Sequence, residues 1–144
     1  MNQHRNWGKK LYCADADCLE FDGQGNLKAI IELKHGWEDE IDLDSYQFPA
    51  LKKLAGVQSV PLFCVAYFPP GYDAYTGQER LFGDHWSFYV VPANGYANAL
   101  LDCPTQMTER EWVTLLYQLR EIPVPADLEL DNTPIKVRLP TIAA

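Results

Sequence analysis

A chain of 144 residues is the size of one ordinary domain and can bury most of its apolar surface without disulfide or metal staples. Hydrophobic residues make up 47% and charged residues 22%, a globular composition that excludes extended disorder as the main state. The net charge of -8, with a pI near 4.7, excludes a protein that grips duplex DNA by lysine and arginine alone. No run approaches the roughly 20 apolar residues that cross a bilayer, and the polar start MNQHRNWGKK lacks the apolar core of a secretory signal. The expected location is therefore the cytoplasm, with no membrane partner. Cys13, Cys18, Cys64 and Cys103 form no C-x-x-C pair, which fits reduced thiols and argues against zinc.

Leu11 to Phe21 mixes aromatic, apolar and acidic residues and reads as a strand. Asp22-Gly23-Gln24-Gly25-Asn26 is a turn, and Leu27 to Lys34, closed by His35-Gly36, is a second strand that completes an antiparallel hairpin. Between Asp44 and Gly56 the apolar residues Phe48, Leu51, Leu54 and Ala55 recur at helical spacing. Asp44 or Ser45 is the expected N-cap of this helix and Gly56 its stop. Val60 to Phe68 (VPLFCVAYF) is nearly all apolar and predicts a strand buried on both faces.

Pro69 to Asp84, rich in Gly, Pro, Tyr and Asp, predicts a long loop, and His85 to Val91 another strand. Thr108-Glu109-Arg110-Glu111 is a capping box opening a helix whose apolar face is Trp112, Leu115, Leu116 and Leu119. The rest of the chain, 123–144, carries four prolines and the alternation Ile135, Val137, Leu139, and is expected to be a tail or an edge strand of the same single domain. The whole predicts an α/β fold, a small mixed sheet flanked by helices, with the first helix crossing from the hairpin to the Val60 strand.

The segment YCADADCLEFDGQGNLKAIIELKHG carries the chemistry. A period of two puts Glu32 and Lys34 on one face of their strand, and Asp15 and Asp17 on one face of its partner. A hairpin with a five-residue turn can then bring two carboxylates and one ammonium together. Acids beside Ile30, Ile31 and Leu33 cost several kcal/mol to bury unless they pair or bind a cation. A hard divalent ion, Mg2+ or Mn2+, is the expected cofactor, because it is commonly held by one or two carboxylates plus substrate phosphate. Lys34 can orient the attacking water or neutralise a developing oxyanion. His35, beside the lysine, and the aromatics Tyr67 and Phe68 are read as exposed-turn and packing residues respectively.

The run "DADCLEF...AIIELKHG", followed by a helix and "VPLFCVAYF", resembles the core of the PD-(D/E)XK nucleases, a superfamily that includes many restriction, recombination and phage enzymes. The resemblance covers residues 11 to 68 and implies a restriction-endonuclease-like sheet and hydrolysis of phosphodiester bonds in nucleic acid, with DNA as the expected partner. It implies that Asp17 and Glu32 hold the metal and that Lys34 is the catalytic lysine, with Asp15 as the lesser choice of first acid. Some members carry a glutamine in the next helix, and Gln47 stands near that place.

Acidity supplies a rival expectation. Ten of the 20 acidic residues fall within the first 44 positions, and such a surface can mimic nucleic acid and occupy a basic site on a partner protein. In that reading the chain is a catalytically silent interaction module. Association with itself is open in either reading.

Overall fold

The computed structural model describes residues 16–36, 38–45, 47–70 and 84–143. The hairpin forms where the turn residues demand it. Asp22 accepts hydrogen bonds from the backbone N–H groups of Gln24 and Asn26, each at 2.9 Å, and from Asn26 Nδ2 at 3.0 Å. Gly25 takes φ +85°, a left-handed conformation that side chains resist. Strand β1 (Cys18–Phe21) thereby folds back on β2 (Leu27–His35), pairing Cys18 with Ile31 and Glu20 with Ala29, with an irregularity at Glu20/Phe21. Residues 11–15 of the expected first strand lie outside the described residues.

After a short strand β3 (Glu40–Ile41), helix α1 (Phe48–Gln58) crosses to β4 (Leu62–Phe68), which lies parallel to β2. The expected caps of this helix are corrected. Asp42 and Ser45 are spent on a local turn, in which Asp42 Oδ1 accepts from the Asp44 N–H and Ser45 Oγ donates to the Asp42 carbonyl. The N-cap is Gln47, with Pro49 in the first turn, where its missing N–H costs nothing. Gly56 lies inside the helix. The stop is Ser59, left-handed at φ 55°, whose N–H returns to the Ala55 and Gly56 carbonyls ahead of Pro61.

Strand β5 (Ser87–Pro92) runs antiparallel to β4, and β6 (Thr105–Thr108) antiparallel to β5, so that among the described residues the sheet is mixed and five-stranded, of order β1-β2-β4-β5-β6. A single-turn helix, α2 (Gly95–Asn98), links β5 to β6, capped by the Asn94 side chain. Helix α3 (Glu109–Leu119) begins at the expected capping box, with Thr108 Oγ1 accepting from the Glu111 N–H and the Glu111 carboxylate accepting from the Thr108 N–H.

Two cores follow from the period-two alternation of β2 and β4. On one face Ile30, Leu62, Cys64, Ala66 and Val91 pack under Phe48, Leu51 and Ala55 of α1. On the other, Ile31, Phe63, Val65 and Val90 pack under Trp112, Leu115 and Leu119 of α3. The chain after α3 has no strand where Ile135, Val137 and Leu139 alternate. Ile135 and Val137 instead lean on the α1-face core, Leu139 stays exposed, and only β7 (Thr141–Ile142) forms a ladder, parallel to β3.

Two constraints here have measurable consequences. A Cβ added at Gly36 would sit 2.3 Å from the Phe68 ring, so Gly36→Ala is expected to destabilise the fold by roughly 1–3 kcal/mol, read as a lower midpoint in urea. Asp131 pins the C-terminal segment: its side chain pairs with His85 Nδ1 and accepts from the Thr133 N–H, while its backbone N–H donates to Glu109 and its carbonyl accepts from the Arg110 N–H. The bond to His85 holds the Asp131 carboxyl below the usual range, with help from Thr133. A lowered carboxyl pKa stabilises the fold above the unfolded value of about 4, and that contribution is lost as pH falls through the folded value. Denaturant titrations of wild type and Asp131→Asn should therefore differ more at pH 5 than at pH 3.

Candidate active site

Strand β2 delivers Glu32 and Lys34 to the same face as Ile30, beneath α1. Glu32 is 2% exposed, and its in-register neighbour on the parallel strand is Cys64. Among the described residues the buried polar side chains are Glu32, Ser87 and Thr108, which makes Glu32 a carboxylate set among apolar neighbours. Gln47, partly buried at the start of α1, donates from Nε2 to Glu32 Oε2. The α1 cap and the β2 acid are thus joined directly. Lys34 is half-buried, paired in register with the small Ala66 of β4.

Asp17 stands at the entrance to β1. Carrying the β1–β2 register on by one residue puts it opposite Glu32, and its Oδ2 accepts the Leu33 N–H at 2.8 Å. The three expected residues and Gln47 are therefore gathered at one end of the β1–β2–β4 sheet. Asp15 lies outside the described residues. His35 and Tyr67 point to the opposite face, where their rings lie 4.8 Å apart and Tyr67 Oη is 3.1 Å from His35 Nε2. They form a polar pair at the sheet end rather than part of the carboxylate cluster.

Electrostatics tie the cluster together. Burial pushes the Cys64 thiol up to about 12, Lys34 pulls it down, and Glu32, Glu38 and Asp17 push it further up. One buried thiol thus feels all three expected residues and Glu38. The sequence alone does not nominate Cys64 or Glu38. Cys64 joins the site only through the parallel pairing of β4 with β2, and Glu38 lies beyond the end of β2, where strand alternation gives no direction.

As a donor set, Asp17 and Glu32 offer hard carboxylate oxygens, the kind of ligand that Mg2+ or Mn2+ takes. Among the described residues no group of three or more His, Cys, Asp or Glu side chains converges as a ready-made metal cage. A cation held here would take its remaining oxygens from water or a further ligand, as magnesium commonly does.

The thiol provides a check on the site's packing. In native protein at pH 8, Cys64 should resist a thiol reagent, because it is 0% exposed and its thiolate is suppressed, while exposed Cys103 reacts. Labelling followed by peptide mass analysis reads this; prompt labelling of Cys64 would show that the face under α1 is open.

No protein-family model, no curated protein and no solved structure matches this chain.

Proposed function

We propose that the chain is a metal-dependent nuclease that hydrolyses phosphodiester bonds in nucleic acid, with DNA as the favoured substrate and Mg2+ or Mn2+ as cofactor. The observation that carries this reading is the gathering of Asp17, buried Glu32 and Lys34 at one sheet end, with Gln47 bonded to Glu32. A mixed sheet in which a hairpin feeds a helical crossover to a parallel strand also supports a restriction-endonuclease-like arrangement. Asp17 and Glu32 would hold the cation, which when bound supplies positive charge against the phosphate and lowers the pKa of water.

The protein's own groups divide the remaining work. Gln47 keeps the Glu32 carboxylate from rotating, so its charge meets a ligand without reorganisation. Lys34 brings a positive charge to the site, where it can orient water or neutralise the oxyanion that builds on the phosphorus. Lys34, on the same face of β2 as Glu32, also sets a positive charge against the two carboxylates.

A second reading rests on the net charge of -8 and the exposed acids Glu38, Asp39, Glu40, Asp42 and Asp44. Such a surface suits a basic site on a partner protein, and the chain would then be a silent interaction module. Among the described residues no helix is long and apolar enough to cross a membrane, so neither reading invokes a transmembrane helix.

Incubation with plasmid, linear duplex, single-stranded DNA and RNA, each with Mg2+ and with Mn2+, separates the readings. Cleavage is expected to stop with EDTA and with Glu32→Ala, and to fall about 100-fold or more with Lys34→Ala. Metal affinity in Lys34→Ala should be unchanged or higher, since removing a nearby positive charge favours a cation. Cleavage indifferent to Lys34→Ala would reject the assigned site, and no cleavage of any substrate by folded protein would favour the interaction module.

A further inference from the structure

The ladder between β1 and β2 breaks off at a telling place. The N–H groups of Ile30 and Gly36 point to β4, donating to the carbonyls of Pro61 and Tyr67 at 3.0 and 2.8 Å. Alternation then turns the N–H of Leu33 toward the β1 side. Carrying on the register of Cys18 with Ile31 would pair that N–H with the backbone carbonyl of Ala16. It goes instead to the side chain of Asp17, at 2.8 Å. A carboxylate has replaced a peptide carbonyl in the ladder.

The replaced bond lies at the peptide joining Glu32 to Leu33, between the two residues that β2 contributes to the site. From this geometry we propose that Asp17 is a positioning residue: through Oδ2 it clamps the β2 backbone between Glu32 and Lys34, which leaves Oδ1 as the less engaged oxygen for a cation. The clamp is a property of the fold, while its meaning for catalysis rests on the nuclease reading. A backbone carbonyl in the same place would hold the strand equally well, but it would bring no charge to the site. The carboxylate does both, and a single substitution can separate the two tasks. In Asp17→Asn the side-chain oxygen still accepts the Leu33 N–H but the charge is gone; in Asp17→Ala both are gone.

Amide hydrogen exchange on the full chain, followed by NMR, tests the clamp without substrate or metal. The Leu33 amide should exchange about tenfold or more faster in Asp17→Ala than in wild type, and Asp17→Asn should restore most of the protection. The amides of Val65 and Val90 in β4 and β5 should keep wild-type rates in both variants, which separates a local release from loss of the fold. Mn2+ affinity, read by water-proton relaxation, should fall in both variants. At saturating Mn2+ Asp17→Asn should cleave faster than Asp17→Ala, because its strand is still held.

A Leu33 amide that exchanges at the wild-type rate in Asp17→Ala would overturn the proposal, as would equal acceleration in the Asn and Ala variants. The expected exchange pattern across the two variants, with a wild-type protein that cuts no nucleic acid, would support the clamp and sink the nuclease reading instead.

Discussion

A carboxylate at the centre of an apolar layer is the constraint around which this sheet is organised. Glu32 is almost fully buried, flanked along its strand by Ile31 and Leu33 and across the parallel pair by Cys64. Removing such a group from water costs several kcal/mol unless hydrogen bonds or opposite charge replace the lost hydration. The Gln47 amide supplies one such bond and Lys34 a nearby positive charge. An apolar residue at position 32 would avoid this expense altogether, so retaining glutamate there is a choice that packing does not explain. That asymmetry is the physical reason for reading the place as a site.

The same constraint explains why helix α1 begins where it does. Its N-cap has no side-chain cap of its own, because the Gln47 amide is turned toward Glu32. Ser, Thr, Asp or Asn at the cap would commonly add about 1 kcal/mol of helix stability, and two such residues, Asp44 and Ser45, lie just upstream. The chain uses their neighbourhood for a turn and leaves the cap to a residue that serves the acid. Local helix stability is given up in favour of a fixed carboxylate, the trade expected where a binding site is pre-organised.

Much of this architecture was legible in the residues themselves. The turn at Asp22 to Asn26, the doubly buried VPLFCVAYF strand and the capping box at Thr108 each follow from local chemistry, and each stands close to where it was expected. The placing of Asp17 opposite Glu32, and of Lys34 on the same face as Glu32, followed from period two and an antiparallel hairpin. What could not be read were features decided by distant partners. Strand β3 and strand β7 have two residues each and exist through one another, and β6 is recognisable only as the neighbour of β5. The start of α1 was misplaced because a turn at Asp42 competes for Ser45 and because the cap residue answers to a strand 15 positions earlier. Asp17 was expected only as a ligand, since nothing in the spacing reveals that its carboxylate stands in for a ladder carbonyl.

The pairing of β3 with β7 also sets a timetable. Thr141 donates its N–H to the Asp39 carbonyl and Ala143 to that of Ile41, just upstream of the turn that leads into Gln47. About a hundred residues separate the two strands, so closing this contact is among the costliest steps in loop entropy that the chain undertakes. During synthesis at roughly 5–20 residues per second, β3 would wait on the order of 5–20 s for its partner. The hairpin, α1 and β4, and with them Asp17, Glu32, Lys34 and Gln47, can be in place well before then. In a growing chain, the carboxylate cluster would therefore be old by the time the β3–β7 ladder is young.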